Sequence, residues 1–351
     1  GSDPGCTVDG ELCYFCAKCM KSHKVHSMKY SLHRTCLILL AASGLLLLTG
    51  CPDNTEEELR SQEERFFELY VAANYPDVEP QPNGIYFIEH KEGSGSFPDS
   101  DDWLKINHVT YLIPSEEIVE SYIRNVAVDN DFYEEGVLYG PYKMQNGTRT
   151  VGFTEGLMMM REGSQATMFF TSDLGYGSAG SGRIQAYQSL KYEVELLEVI
   201  KDIETYEKNR LEAYVDTIPG ADTIRDPASD FVMYYVIDEP GEGDTIENQT
   251  RVEFSYTGYL IDGRIVGESD EDDPELITIG DREAIMGWEL GIPRFAEGAR
   301  GRLIIPYQLA YGDQGGYDPN GKNIPPYETV IYNIEILDTN PGTDNGPDPE
   351  E

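Results

Sequence analysis

Four short blocks decide the reading of this chain: Tyr256-Thr257-Gly258, Gly287-Trp288-Glu289, Ala310-Tyr311-Gly312 and Ile324-Pro325-Pro326-Tyr327. They fall in that order along a run of predicted strands. Phe231 to Ile237 alternates as a strand, and Glu239-Pro240-Gly241-Glu242-Gly243 follows it as a turn. Arg251 to Ile261 reads as a strand closed by a hairpin at Asp262-Gly263. Glu275 to Ile279 is another strand, and Arg282 to Leu290 a short helix. Arg302 to Ile305 and Thr329 to Leu337 complete the set. Beyond Asp338 the residues are Pro, Gly, Asp, Asn and Glu, a composition that disfavours a packed core.

The same order of blocks occurs earlier in the chain. Glu92-Gly93-Ser94-Gly95 matches Pro240-Gly241-Glu242-Gly243, and Gly152-Phe153-Thr154-Glu155-Gly156 matches Gly287-Trp288-Glu289-Leu290-Gly291. Glu162-Gly163 matches Glu297-Gly298, Leu174-Gly175-Tyr176-Gly177 matches Leu309-Ala310-Tyr311-Gly312, and Ile184-Gln185-Ala186-Tyr187 matches Ile324-Pro325-Pro326-Tyr327. Blocks kept in register over this distance point to two copies of one domain. Strands are expected at 85–88, 103–113, 166–171 and 189–200, with 151–156 a turn or helix. Residues 114–135 lack clear periodicity and read as an insertion. Helix-like segments at 59–73 and 204–214 precede the copies, and 219–227 reads as a turn-rich linker.

These motifs resemble the FKBP-type peptidyl-prolyl isomerases, closely over 230–338 and more weakly over 84–202. The resemblance implies an α+β fold: two FKBP-like domains, each a twisted antiparallel β-sheet wrapped around a short α-helix, each preceded by a helix. It also implies a site of aromatic side chains rather than acids, bases or metals. Trp288 matches the tryptophan beneath a substrate proline ring, with Ala284 and Ile285 in the wall before it. The spacing of Ile285 and Trp288 predicts one shared helix face. Tyr256 matches the pocket tyrosine of the first conserved strand, and Tyr311 the tyrosine whose hydroxyl reaches a substrate carbonyl. Ile324 matches the residue whose backbone N–H donates to substrate, and Tyr332 stands at a usual phenylalanine. The family's usual Phe-Asp pair is here Val266-Gly267. The acid that faces the tyrosine is therefore absent from its usual place, and Glu268 or Asp270 remain as candidates to reach the rim. Glu275 stands where another pocket aromatic is common.

The implied chemistry needs no cofactor. Rotation about an X–Pro amide meets a barrier of about 18–20 kcal/mol because of partial double-bond character. The planar amide is the more polar form, so a dry apolar pocket disfavours it more than the twisted one, and fixed donors can hold the flanking carbonyls in the twisted geometry. The chain carries no phosphate loop, dinucleotide fingerprint, HExxH, EF-hand or exported CxxC, so no cofactor and no metal are expected. A second reading stays open: a non-catalytic FKBP-like chaperone or protein-binding module. In the first copy His108 replaces Tyr256, Phe153 replaces Trp288 and Ala186 replaces Pro326, while Tyr176 persists. That copy reads as a non-catalytic scaffold, substrate-holding or dimerising domain, with His108 a core histidine and Met160 a core residue aligned with Phe295.

The 351 residues include 26 basic and 64 acidic ones, a formal net charge of −38. Such a chain is repelled by phosphate backbones and anionic lipid heads, which excludes nucleic acid as a partner. Membrane contact would need a tether. Met28-Lys29 and Arg34 open a basic segment, Leu37 to Leu48 is largely apolar, and Leu48-Thr49-Gly50-Cys51 follows. The apolar run is too short to span a bilayer and has the form of a secretory signal. Its end resembles a bacterial lipobox, which implies lipidation at Cys51. An ordinary cleaved signal is the alternative. All six cysteines lie at or before Cys51, so the exported chain would hold no disulfide.

The expected organisation is 1–27 a non-native leader or misassigned start, 28–50 a lipoprotein signal and 51–83 an acidic spacer and helix. The degenerate copy follows at 84–203, then a helix and linker at 204–229, the isomerase copy at 230–338 and a disordered acidic tail at 339–351. Cys13, Cys16 and Cys19 with His23 and His26 have ligand types suited to zinc but precede Met28, and are set aside. The expected partners are proline-containing unfolded or exported polypeptides, and the membrane through Cys51. The expected place is the envelope of a Gram-negative-type bacterium, as an outer-membrane lipoprotein facing periplasm or surface.

Overall fold

The structure is a computed structural model that describes residues 55–340. Cys51, the signal-like segment and the leader lie outside the described residues. The first helix, α1 (Glu56–Asn74), begins inside the segment expected to be a spacer. Thr55 and Glu58 form a capping box, and Glu56, Glu57 and Glu58 face the positive end of the helix. Phe67, Tyr70 and Val71 are buried, whereas Phe66 and Leu69 remain exposed.

The first copy continues with β1 (Tyr86–Lys91), β2 (Trp103–Leu112), β3 (Glu117–Ser121), α2 (Arg124–Asp129), β4 (Tyr142–Gln145), α3 (Val151–Met158), β5 (Gln165–Phe170) and β6 (Leu190–Ile200). The segment 114–135, expected to be irregular, contains β3 and α2. Val119 and Ala127, buried from these two elements, anchor them. Their short length hid the periodicity.

The second copy comprises α4 (Ile203–Val215), β7 (Asp222–Arg225), β8 (Val232–Glu239), β9 (Arg251–Leu260), β10 (Ile265–Ser269), β11 (Glu275–Thr278), α5 (Met286–Gly291), β12 (Arg300–Ile305), β13 (Gly316–Tyr317), β14 (Asn323–Ile324) and β15 (Val330–Asp338). The expected linker at 219–227 contains β7, which pairs with β8 and buries Ile224 in the core.

The two sheets share one antiparallel topology. Strands run β1-β5-β6-β2-β3 in the first, with β4 also on β2, and β8-β12-β15-β9-β10 in the second, with β11 also on β9 and β7 added outside β8. Register fixes the correspondence: Thr110 opposes Tyr192 and Glu120 in one sheet, and Gly258 opposes Tyr332 and Gly267 in the other. The turns also correspond. Tyr187 and Tyr327 both take a left-handed backbone, with φ of 54° and 58°. Each donates its N–H to the carbonyl of the glycine that ends the preceding block, Gly177 or Gly312.

Each sheet buries its inner face fully and its outer face only in part, and β9 shows this as a strict alternation of buried and half-buried residues along its length. On the inner face, α3 and α5 each lie flat through a pair of glycines four apart. A β-carbon on Gly152 or Gly156 would collide with Phe170 or Met168, and one on Gly287 or Gly291 with Ile305 or Leu303. That close approach lets Phe153 and Trp288 reach into their cores. On the outer face, α1 packs against Phe169, and α4 packs through Leu211 against Ile304 and Ile331.

Candidate active site

The second copy gathers its aromatic residues around one indole. The ring of Trp288 lies 5.1 Å from Phe254, 5.2 Å from Tyr256 and 5.0 Å from Tyr332, all steeply tilted or edge-on. Phe254 and Tyr256 come from β9, Tyr332 from β15 and Trp288 from α5, so strand pairing between β9 and β15 sets the geometry. The Tyr311 hydroxyl lies 3.1 Å from that of Tyr332. Val266 and Ile324 are buried in the same cluster, and Ala284, Ile285 and Tyr311 pack against it half-buried. Each site residue predicted for this copy is therefore brought to one place.

Two local readings change. The helix expected from Arg282 begins only at Met286, and Ile285 is its extended N-cap residue. Ile285 thus meets the core from the entry to α5, not from a face shared with Trp288. The indole is also more enclosed than an open floor would be, at 2% exposure, with Tyr256 at 2% and Tyr332 at 0%.

The segment before β4 also reaches the second copy. Leu138 of the first copy packs against the second copy's core, and Asn323 donates its N–H to Gly136 carbonyl oxygen at 3.2 Å. Nothing in the sequence signalled this contact, since residues 136–140 show no periodicity.

The acid expected at the rim is neither Glu268 nor Asp270. Both sit on the exposed side of the β10 end, and Asp270 caps the following turn by accepting from Asp272 and Asp273 N–H groups. A different carboxylate, Asp318, lies against Gly267 and is 4% exposed. Burial pushes its carboxyl pKa up, against the pull of the Lys322 N–H and charge. Burial first, and then the charge of Asp318, raises the Tyr256 hydroxyl and the Glu275 carboxyl as well. The signal available in the sequence was length: Tyr311 to Ile324 is five residues longer than Tyr176 to Ile184, and it contains the turn former Asp318-Pro319-Asn320-Gly321.

The corresponding place in the first copy keeps rings at two of these positions, Phe153 for Trp288 and Tyr192 for Tyr332, 4.6 Å apart, but sets charge among them. His108, 1% exposed, lies 3.3 Å from a Glu120 oxygen through Nε2 and 3.0 Å from the Tyr142 hydroxyl through Nδ1. Arg149 forks onto Glu120 at 2.8 and 2.6 Å and lies over the Phe153 ring. Burial lowers the His108 pKa, with Glu120 opposing. His108 is thus a satisfied core histidine, and Met160 is fully buried as expected.

The family model described as FKBP-type peptidyl-prolyl cis-trans isomerase matches residues 114–197 and 243–337. A probable FKBP-type peptidyl-prolyl cis-trans isomerase of Haemophilus influenzae is 35% identical over 109 residues, covering 31% of this chain and 43% of that protein. FK506-binding protein 1 of Debaryomyces hansenii is 36% identical over 104 residues, 29% of this chain and 89% of its own length. The crystal structure of FkpA from Escherichia coli, 29% identical, is matched over 40% of this chain and 61% of that chain with a TM-score of 0.34. The match thus spans under half the length of the Haemophilus relative.

Proposed function

We propose, for a chain that belongs to the FKBP-type peptidyl-prolyl cis-trans isomerase family, that its second copy isomerises X–Pro bonds of unfolded or partly folded exported polypeptides. The observation that carries this reading is the cage of Phe254, Tyr256 and Tyr332 around Trp288, with the Tyr311 hydroxyl at its edge. A proline ring held against the indole places its amide among low-polarity rings, where loss of the planar dipole costs least. The hydroxyl of Tyr311 and the backbone N–H of Ile324 supply donors for the flanking carbonyls. Val266, Ala284 and Ile285 form the walls.

The first copy holds and orients; it does not catalyse. Its indole position is Phe153, and His108 takes the place of Tyr256, with Glu120 and Arg149 paired beside it. The chain acts outside the cytoplasm, anchored through lipid at Cys51 in a bacterial envelope. Support for this comes from the signal-like segment at 28–50 and from the bacterial relatives.

The near-complete enclosure of Trp288 and the contact from Leu138 favour a second reading, a chaperone that keeps the fold without the turnover. A proline-tetrapeptide isomerisation assay on the exported chain separates the two. The enzyme reading expects turnover that falls to background in Trp288→Leu and drops about tenfold in Tyr311→Phe, the loss of one directed hydrogen bond. Background turnover in the wild type, with unfolded-protein binding intact, would install the chaperone in its place.

A further inference from the structure

We propose that Asp318 is a substrate-contacting residue of the second copy's pocket: from a loop, it fills the place that Gly267 leaves without a side chain, and it accepts a backbone N–H of the polypeptide bound there. This rests on the isomerase reading above and names a recognition element that the motif blocks do not contain.

The loop is built to present this carboxylate. Asp318 donates its N–H to Lys322 carbonyl oxygen at 3.0 Å, Gly321 donates to the Asp318 carbonyl at 3.0 Å, and Lys322 N–H reaches Asp318 Oδ1 at 2.5 Å. The short pair β13 and β14 closes the hairpin behind it. Asn320 fastens the tip: its Nδ2 donates to Glu268 carbonyl oxygen at 2.7 Å and to the Tyr256 hydroxyl at 3.2 Å. These bonds hold the other carboxylate oxygen, Oδ2, beside Gly267. A β-carbon on Gly267 would collide with Oδ2 and lie 3.4 Å from the Tyr256 hydroxyl. Strand β10 can carry a side chain here or the loop can carry Asp318, but not both.

Oδ2 is buried and has no hydrogen-bond partner in the protein. A desolvated carboxylate oxygen without a donor is costly, and such a group calls for a functional explanation. The groups around it do not supply the donor. The Tyr256 hydroxyl, which accepts from Asn320 and keeps its own proton, makes no hydrogen bond to Oδ2; Tyr311 and Tyr332 share a hydroxyl contact, Glu275 is itself an acid, and the charge of Lys322 acts from within the loop. A peptide in the cage brings backbone N–H groups on either side of the proline, which has none of its own.

The test compares Asp318→Ala, Asp318→Asn and the double variant Gly267→Asp/Asp318→Ala in the exported chain. The measurements are kcat/KM and calorimetric affinity on an Ala-Leu-Pro-Phe peptide from pH 4 to 8. Asp318→Ala should lose about tenfold or more. Asp318→Asn should keep part of the affinity and lose the acid limb that protonation of the carboxyl gives the wild type. The double variant should recover to within about threefold, because the carboxylate returns to the same spot from β10. Unchanged kcat/KM and affinity in Asp318→Ala would overturn the proposal. If the wild type binds the peptide without turning it over, the isomerase reading fails, and Asp318 is still judged on affinity alone.

Discussion

The two copies place one backbone in two chemical states, and the contrast is sharpest at equivalent positions. Thr110 and Gly258 hold the same place in register, and from there Glu120 corresponds to Gly267, His108 to Tyr256 and Tyr192 to Tyr332. The first copy sets among its rings a histidine, a carboxylate and a guanidinium that satisfy one another. The second fills its centre with rings and leaves a carboxylate oxygen, Asp318 Oδ2, and the indole Nε1 of Trp288 unsatisfied. Buried polar groups that pair only among themselves serve packing, whereas an unpaired one beside an aromatic cage has something left to offer a ligand. The shared sheet therefore does not distinguish the copies; the difference lies in which polar groups have spent their hydrogen bonds.

The harshest test of this contrast removes the central ring from each copy. Trp288→Ala and Phe153→Ala each open a cavity under a helix held flush on the sheet by glycines, and each should cost about 3–5 kcal/mol in denaturant unfolding. Their effects on turnover should differ. Isomerase activity at a temperature where both variants stay folded should vanish for Trp288→Ala and persist for Phe153→Ala. Equal losses of activity would mean that the copies work as one site, which the contrast above does not allow.

A second comparison lies on the outer faces of the sheets. Glu63 of α1 and Glu207 of α4 each sit one turn before the residue that packs on the sheet, Phe67 or Leu211. Both are buried. Glu63 is satisfied within its own copy, by the Ser172 N–H and hydroxyl and the Ser189 hydroxyl at 2.5–2.6 Å. Tyr307 and Thr329 occupy those places in the second copy, and Glu207 pairs instead with Lys143 of β4 from the first. Lys143 also reaches Glu328 at 3.1 Å and the Tyr327 carbonyl at 3.2 Å, and Arg210 completes the cluster. A glutamate used locally in one copy thus ties the copies together in the other. Lys143→Met should cost about 3 kcal/mol or more by leaving Arg210 as the one cation against two buried carboxylates. Burial already raises the Glu328 carboxyl above its ordinary range. A group that binds its proton more tightly when folded gains stability as pH falls, so the loss in Lys143→Met should shrink on acidification. Urea unfolding at two pH values measures both effects.

How much of this was legible in the sequence depends on what carried the signal. The motif blocks fixed the strands, the two flush helices and the rings of Tyr256, Trp288, Tyr311 and Tyr332, because turn glycines and large rings have few alternative places in such a sheet. Short elements were invisible: β3, β4 and β7 each span five residues or fewer, too few for a period to show. The acid of the site was missed because it changed elements. A search for a carboxylate near Gly267 looks along β10, to Glu268 and Asp270, while Asp318 arrives from a loop fifty residues on. The tie between the copies was missed for a similar reason, since Lys143 and Glu207 have meaning only as a pair. Cys51, on which the anchoring depends, lies outside the described residues.

The gentlest probe of the contrast combines pH with charge-removing substitutions, because the acids of the two centres respond in opposite senses. Burial would raise the Glu120 carboxyl, but the Arg149 fork and His108 overcome it and hold it well below the usual carboxylate range. Glu120 therefore adds stability above its unfolded pKa, and that contribution fades as pH falls through its folded value. Asp318 is raised, so its copy gains as pH falls. Hydrogen exchange resolved by peptide reads the two separately, with each pH compared only against a variant at that same pH. At neutral pH Glu120→Gln should lower protection of β2 and β6, and the difference from wild type should narrow under acid. Asp318→Asn should raise protection of β9 and β15 at neutral pH, since it removes a buried charge without removing its volume. A shift of both copies in the same direction would show that the charged centre and the aromatic one are electrostatically alike, and the contrast between them would then rest on the rings alone.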